Sequence, residues 1–374
     1  MLERLYVDNF RCFVNFEWKP GRLALLLGKN GSGKTSILDV LWNVRELVVR
    51  GVEARRMFPG SSRTRWDTRL EQRVELDVRL EGELYKYSLV MEHSEAEPWE
   101  SRVGSESLTC DDMALMEFDR GRLTVREGKS GAHGTLGVRT ESSGLSALGP
   151  FQETPRLARF KKWFEEDVWY FRPDPRRMTG RTDGASSFLE VGLHNFASWY
   201  PSLVIEDLDR GIRIQEDLAE ALPGFKSLTV DKARLQLMAR FAGRKGKPYS
   251  VSFEDLSDGQ RALIALYTLR HTVLKPGRLI IFDEPDNYVA LREIQPWLMA
   301  MAEAADEEQT QVWFVSHHPE FLNQLAPSNG ILFFRHEEGP SRIEPFQGRP
   351  GLNSAEVVAR GWEESEPSRE LPRE

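Results

Sequence analysis

The spacing of apolar positions changes along the chain in a definite order. Arg4 to Phe10 and Val14 to Trp18 alternate in part, and Leu23 to Leu27 is a continuous apolar run of the buried parallel-strand type. Ser36 to Val49 then shifts to helical spacing through Ile37, Leu38, Val40, Leu41, Val44, Leu47 and Val48. A Gly/Ser/Arg-rich loop covers Gly51 to Asp67. Period two returns over 72–127, cleanly from Val74 to Leu80 and less strictly over Leu84 to Met91 and Leu115 to Val125, which predicts antiparallel strands. A mostly helical stretch is expected over about 155–222, with Asp174 to Ser187 reading as a mobile loop inside it. Strands return near 225–253, and helix and strand alternate from there to about 346. No internal repeat or heptad run is present, so no long coiled coil is expected.

Composition narrows the class. At 374 residues, 40% of them hydrophobic and 29% charged, the chain is long enough for two or three domains and apolar enough to exclude a disordered class. Two cysteines, Cys12 and Cys110, cannot staple a chain of this size, so a reducing, cytoplasmic setting is expected. Runs such as Leu23 to Leu27 and Trp297 to Ala302 are far shorter than a membrane span, and the N-terminus reads as a strand, not a signal peptide. The net charge of −8 hides an uneven distribution. Trp362 to Glu374 carries five Glu against two Arg, Lys226 to Lys247 has seven basic residues against Asp231 alone, and Thr154 to Arg181 has eight basic against four acidic. The basic stretches are either solvated helix faces or contacts for a polyanion, so overall acidity does not exclude nucleic acid.

Four segments carry chemistry. Gly28-Lys29-Asn30-Gly31-Ser32-Gly33-Lys34-Thr35 is a complete G-x-x-x-x-G-K-T between an apolar strand and a helix. Successive backbone N–H groups there form an anion nest at a helix N-terminus. Asn30, Gly31, Ser32, Gly33, Lys34, Thr35 and Ser36 are therefore the candidate phosphate-binding stretch, with Lys34 reaching the β/γ-phosphates and Thr35 Oγ holding Mg²⁺. Leu279 to Pro285 places Asp283 and Glu284 at the C-terminal edge of a buried strand, where open α/β sheets bind ligands. Asp283 is the candidate metal ligand and Glu284 the group that orients or deprotonates the attacking water; a surface turn is the plainer reading of the pair by itself. Leu256-Ser257-Asp258-Gly259-Gln260 opens a helix from Arg261 to Leu274, with Ser257 as an N-cap or as a donor to phosphate. Gln311 to His318 is a further apolar strand ending in histidines.

In this order and spacing, the four resemble the ATP-binding-cassette superfamily. Gly28–Thr35 looks like Walker A, Leu256–Gln260 like the signature motif, Asp283–Glu284 like Walker B and His317 like the switch histidine that senses γ-phosphate. The resemblance spans about residues 1–50 and 250–335. Asn9-Phe10-Arg11 and the long insert between Thr35 and Leu256 look like the RecF/SMC/OLD-like branch, whose compact members are often described as AAA-family ATP-binding proteins. Several bacterial proteins of this resemblance work with a nuclease or toxin partner in antiphage defence. Departures from the pattern are Asp258 in place of a signature glycine, which would add negative charge near an incoming phosphate, and Asp286-Asn287-Tyr288-Val289-Ala290 in place of the usual D-loop. Gln152 is the candidate Q-loop glutamine. Arg63 and Arg65 read as surface arginines.

The expected fold is α/β, a P-loop NTPase ABC-type core with an antiparallel β subdomain and an inserted helical region. The expected division is 1–70 and 246–350 for the core, 71–150 for the β-rich part of the first lobe, 151–245 for the helical insert and 351–374 for a partly disordered tail. The resemblance implies an ATPase that uses ATP and Mg²⁺, with Lys34, Glu284 and His317 catalytic, Thr35 and Asp283 on the metal, and Ser257, Gly259 and Gln260 binding nucleotide. It implies a head-to-tail homodimer, a separate nuclease or toxin effector, nucleic acid as a candidate partner and no membrane. Two other readings stay open: the nucleotide-binding subunit of a transporter, and an ATP-binding scaffold with little turnover.

Overall fold

A computed structural model describes residues 1–97, 99–126, 132–149, 154–182, 184, 186–243, 246–336 and 339–362. The chain forms two compact units. The first holds residues 1–168, 277–279 and the chain from 322 onward; the second holds 169–276 and 280–321.

The first unit opens with β1 (Leu2–Asp8), β2 (Phe16–Trp18), β3 (Leu23–Leu27), α1 (Lys34–Arg50) and the short α2 (Ala54–Met57). Six further strands follow: β4 (Glu71–Leu80), β5 (Glu83–His93), β6 (Ser101–Cys110), β7 (Met113–Asp119), β8 (Arg122–Arg126) and β9 (Ala132–Gly137). They extend β1 and β2 into one antiparallel sheet of order β2-β1-β4-β5-β6-β7-β8-β9. Alternation sets its faces: Val74, Leu76 and Val78 are buried while Arg73 and Arg79 are exposed. Val74, Leu76 and Val78 pair with Leu89, Tyr87 and Tyr85 of β5.

Helix α3 (Pro155–Lys162), capped by the Thr154 side chain, covers this face. Its Phe160 ring lies 5.8 Å from Tyr85 and 5.5 Å from Tyr87, centroid to centroid. Burying one such phenylalanine stabilises the fold by about 1.5–3 kcal/mol. Arg156 and Arg159 of the same helix pair with Glu83, so part of the 154–181 basic stretch neutralises the sheet's own carboxylates. The buried Glu106 has its pKa raised by desolvation, and Tyr87 Oη, Ser143 Oγ and the Gly144 N–H all donate to its carboxyl group.

The helical expectation over 155–222 is interrupted. After α3 a π-type turn (Trp163–Asp167) leads into β10 (Val168–Phe171), a β-branched and aromatic run. Helices resume as α4 (Phe196–Glu206) and α5 (Leu208–Ala221). The second unit continues with β11 (Phe225–Asp231), β12 (Gln236–Phe241) and β13 (Tyr249–Ser252), a small antiparallel sheet. Next come α6 (Asp258–Val273), β14 (Leu279–Asp283), α7 (Leu291–Glu307) and β15 (Gln311–Val315). Strand β14 lies between β10 and β15 and is buried along its whole length. Phe282 stacks on Phe314 at 5.6 Å and meets Phe171 at 5.6 Å and Trp297 at 5.2 Å, which fixes the strand's far end.

After α8 (Pro319–Asn329), β16 (Gly330–Arg335) runs parallel to β3 and antiparallel to β17 (Ser341–Pro345), with α9 (Ser354–Ala359) beyond. Cys12 and Cys110 are buried free thiols. Among the described residues, no helix is long and apolar enough to cross a membrane. The tail beyond Trp362 and Gln152 lie outside the described residues.

Candidate functional site

In the first unit, the turn from β3 to α1 is built by backbone conformation. Gly28, Gly31 and Gly33 all have positive φ, at 129°, 81° and 114°. At Gly28 no other residue fits, since a Cβ would lie 2.0 Å from the Phe333 carbonyl oxygen. At Gly33 an added Cβ would come within 3.0 Å of Cys12 Sγ, Phe13 Cζ and Ser341 Oγ. Ser341 Oγ donates to the Ser32 carbonyl at 2.6 Å, and the Ser341 N–H donates to Cys12 O at 2.8 Å, so β17 braces the loop from behind. Lys34 is buried and its Nζ donates to the carbonyls of Gly28 (2.5 Å) and Lys29 (3.1 Å), which curls the ammonium over the loop.

Helix α1 has no side-chain cap at Gly33 and no acid in its first turn, which leaves its N-terminal N–H groups to an anion. Ser32 Oγ is buried without a hydrogen-bond partner, and nothing lies within 4 Å of a Cβ placed on Gly31. The loop therefore fits a phosphate-bearing ligand. Arg11 has a positive φ of 50°, and its guanidinium donates to Ser36 Oγ at 3.3 Å and Asp39 Oδ2 at 2.5 Å on α1. Asn9, also left-handed at 57°, donates to the carbonyls of Arg69 and Glu71 and accepts from the Thr64 N–H. Arg63 Nη1 donates to the Arg69 carbonyl, as a structural arginine does.

In the second unit, β14 delivers Asp283 and Glu284 to different surroundings. The Asp283 side chain is 2% exposed; its Oδ2 accepts from Tyr170 Oη at 3.1 Å and lies 3.7 Å from Arg172 Nε. Glu284 leaves the strand through a left-handed kink, φ 52°, with its N–H bonded to Val315 O of β15 at 2.8 Å. A non-glycine residue held there costs about 1–3 kcal/mol and is kept only where the surroundings enforce it. The kink turns the carboxylate away from the strand, and Asn287 Nδ2 donates to its Oε2 at 2.9 Å. Burial raises the pKa of Asp286, against the pull of the Ser316 hydroxyl, and its Oδ1 is buried without a partner. His317 is exposed just past β15, while His318 Nδ1 accepts from the Glu320 N–H. Hard oxygen donors such as the Asp283 carboxylate and the Thr35 hydroxyl suit Mg²⁺.

Helix α6 starts in a capping box: the Gln260 N–H donates to Ser257 Oγ at 3.2 Å, and the Ser257 N–H to Gln260 Oε1 at 3.1 Å. Gly259 is required here too, because a Cβ would lie 2.7 Å from Tyr288 O in the segment after Asp283 and Glu284. The expected effect of Asp258 is altered by its partners. Its carboxylate is held by Arg261 Nη2 at 2.6 Å and approached by Arg176 Nε at 3.5 Å, so its negative charge is largely compensated. Arg176 also lies 5.0 Å over the Tyr288 ring. Arg172 and Arg176 belong to one segment that touches both Asp283 and the start of α6. Sequence reasoning missed Tyr170, Arg172, Arg176 and Ser341 as site residues. The density of arginine over 172–181 was the one signal available for two of them.

A glycine nest between strand and helix, with an acidic strand end and a capped helix start, defines a P-loop ATPase fold of the ATP-binding-cassette type. Residues 23–323 match the family described as "AAA domain, putative AbiEii toxin, Type IV TA system", and the chain belongs to that family. It is thus an AAA-domain protein with a P-loop ATPase fold of the kind seen in SMC heads. Among solved structures, the SmcHead bound to the C-winged helix domain of ScpA is 15% identical with a TM-score of 0.56, covering 96% of this chain and 99% of that one, and shares its fold. The SMC head domain from Thermotoga maritima is 15% identical at a TM-score of 0.49, covering 93% and 99%. No curated protein matches the chain.

Proposed function

We propose that the chain binds and hydrolyses ATP with Mg²⁺, and that ATP closes it into a head-to-tail homodimer that controls a separate effector. The phosphate loop carries this reading: three positive-φ glycines, an uncapped helix start and Lys34 folded over the loop make a cradle suited to phosphate. Asn30 to Ser36 bind the phosphates, and Lys34 offsets their charge. Thr35 and Asp283 hold the metal, which when bound neutralises charge on the phosphate oxygens. Glu284, held by Asn287, orients and deprotonates the attacking water, and His317 senses the terminal phosphate. Ser257, Gly259 and Gln260 serve a nucleotide on the opposite subunit, so ATP has its differential affinity for the closed dimer. Ser257 Oγ accepts from the Gln260 N–H in the capping box, so its hydroxyl proton remains a donor for that contact beside the N–H groups at the start of α6.

The biological setting we infer is DNA-associated work or antiphage defence, in the cytoplasm, with a nuclease or toxin as effector. The family description, which names a toxin and a type IV toxin–antitoxin system, supports this direction. An SMC head carrying a winged-helix partner supports a protein partner for this fold. Exposed Lys226, Lys232, Arg240 and Lys247 on and around the β11–β13 sheet support a nucleic-acid surface; Arg244 and Lys245 of the same stretch lie outside the described residues.

Glu284→Gln tests the clamp. Light scattering at saturating ATP is expected to show a stable dimer with little turnover. A variant that stays monomeric contradicts the dimer reading.

A further inference from the structure

Trp66 stands in a turn of the first unit that is anchored at both ends. The Thr64 N–H donates to Asn9 Oδ1 at 3.1 Å and the Thr64 hydroxyl to the Phe13 carbonyl at 3.3 Å. The Asp67 N–H closes the turn onto Thr64 O at 3.1 Å, and the Asp67 carboxylate pairs with Arg69. The Arg335 guanidinium lies over the Trp66 ring, 5.1 Å from its centroid. The residue is nevertheless 47% exposed, which leaves ring surface for a second planar group.

Two routes tie this ring to the phosphate loop. Arg335 ends β16 opposite Ser341 of β17, and antiparallel partners stand about 5 Å apart with their side chains on one face of the sheet. Ser341 uses that face to reach the loop, where its Oγ donates to the Ser32 carbonyl at 2.6 Å. Arg335 and the indole on it therefore flank the loop beside Ser32. The second route runs through Phe13, which holds Thr64 and whose Cζ lies 3.0 Å from the place a Gly33 Cβ would take.

We propose that Trp66 is the stacking platform for the base of the bound nucleotide, a role that rests on the phosphate-loop reading given above, and that Arg335 holds the indole in place. A nucleoside triphosphate gripped by its phosphates at Ser32 and Lys34 carries its sugar and base out beside the loop, and Trp66 offers an exposed aromatic face there. Stacking needs no hydrogen bond from the protein, because the base presents a flat π-face to the ring. A ring fixed beforehand by a pinned turn and a guanidinium also loses little freedom when the base arrives.

The test compares two probes on the full chain with Mg²⁺ by calorimetric titration: a non-hydrolysable ATP analogue, which has a base, and inorganic tripolyphosphate, which has none. Trp66→Ala is expected to weaken the ATP analogue by about tenfold, the order of effect of one base stacked on an aromatic side chain, and to leave tripolyphosphate within about twofold of the wild type. Trp66→Phe keeps an aromatic face and is expected to restore most of the lost affinity. Wild-type affinity for the ATP analogue in Trp66→Ala overturns the stacking role alone. So does an equal loss of both probes, which would mean that the ring only supports the loop. A wild type that binds neither probe overturns the phosphate-loop reading and the stacking role with it. Melting curves of both variants check that the fold is retained.

Discussion

The phosphate loop and the acidic strand end are built by opposite means. In the first unit the loop is shaped by backbone: glycines in left-handed conformations, carbonyls turned onto Lys34, and a serine hydroxyl bracing it from β17. In the second unit the acidic edge is shaped by side chains: Tyr170 and Arg172 on Asp283, Asn287 on Glu284, Arg176 and Arg261 on Asp258. Backbone geometry is insensitive to salt and intolerant of an added atom. Charged side chains give way easily and respond to whichever ion is present. The loop's shape is thus fixed by its own backbone, whereas the charge at the edge is set by ionic partners that can be exchanged.

Four substitutions sharpen or break this contrast. Gly28→Ala has the largest expected effect, a loss of about 3 kcal/mol or more in unfolding free energy, because its Cβ meets the Phe333 carbonyl and its φ disfavours any side chain. Denaturant melts measure it, and a loss below about 1 kcal/mol would show that the loop yields. Lys34→Ala is expected to weaken ATP binding by about 100-fold, the worth of two strong charge-assisted hydrogen bonds, and to lower the melt as well, because it takes the Lys34 donor from the Gly28 and Lys29 carbonyls; calorimetric titration measures the binding. Ser257→Ala removes one half of the capping box and should cost about 1 kcal/mol of stability. Arg176→Ala is expected to cost about 1 kcal/mol or less, from its long, exposed pair with Asp258 and its contact with the Tyr288 ring, and 0.5 M salt should erase the ion-pair share. A large, salt-resistant loss at Arg176 would contradict the account of a yielding edge.

How well each region could be read from sequence follows from the same contrast. The loop is contiguous, and its spacing of Gly, Lys and Thr states the backbone geometry directly, so Gly28 to Thr35 and the flanking β3 and α1 were legible. The acidic strand end and Ser257 as an N-cap were legible for the same reason, as local patterns on a strand and a helix start, whereas the return bond from Gln260 came only with the structure. Ser341 was not, because it reaches Ser32 from more than three hundred residues away. Tyr170 and Arg172 were hidden by the misreading of β10: an aromatic, β-branched run set among helices carries no periodicity of its own, and its strand neighbour, β14, lies far along the chain. Asp258 was visible as a departure from the signature pattern, but its charge could not be judged before Arg176 and Arg261 were placed beside it. Helix α3 likewise turned an apparent basic patch into partners for Glu83.

Turnover of ATP by this chain, with Glu284 kinked out of β14 to act on the water, is the proposed step on which the other roles depend. Phosphate release by the wild type and by Glu284→Gln, compared under identical Mg²⁺ and ATP, tests it most directly. The account predicts measurable release by the wild type and a fall of about 10²-fold or more in the variant, the usual contribution of a positioned general base. Equal rates in the two proteins would contradict it.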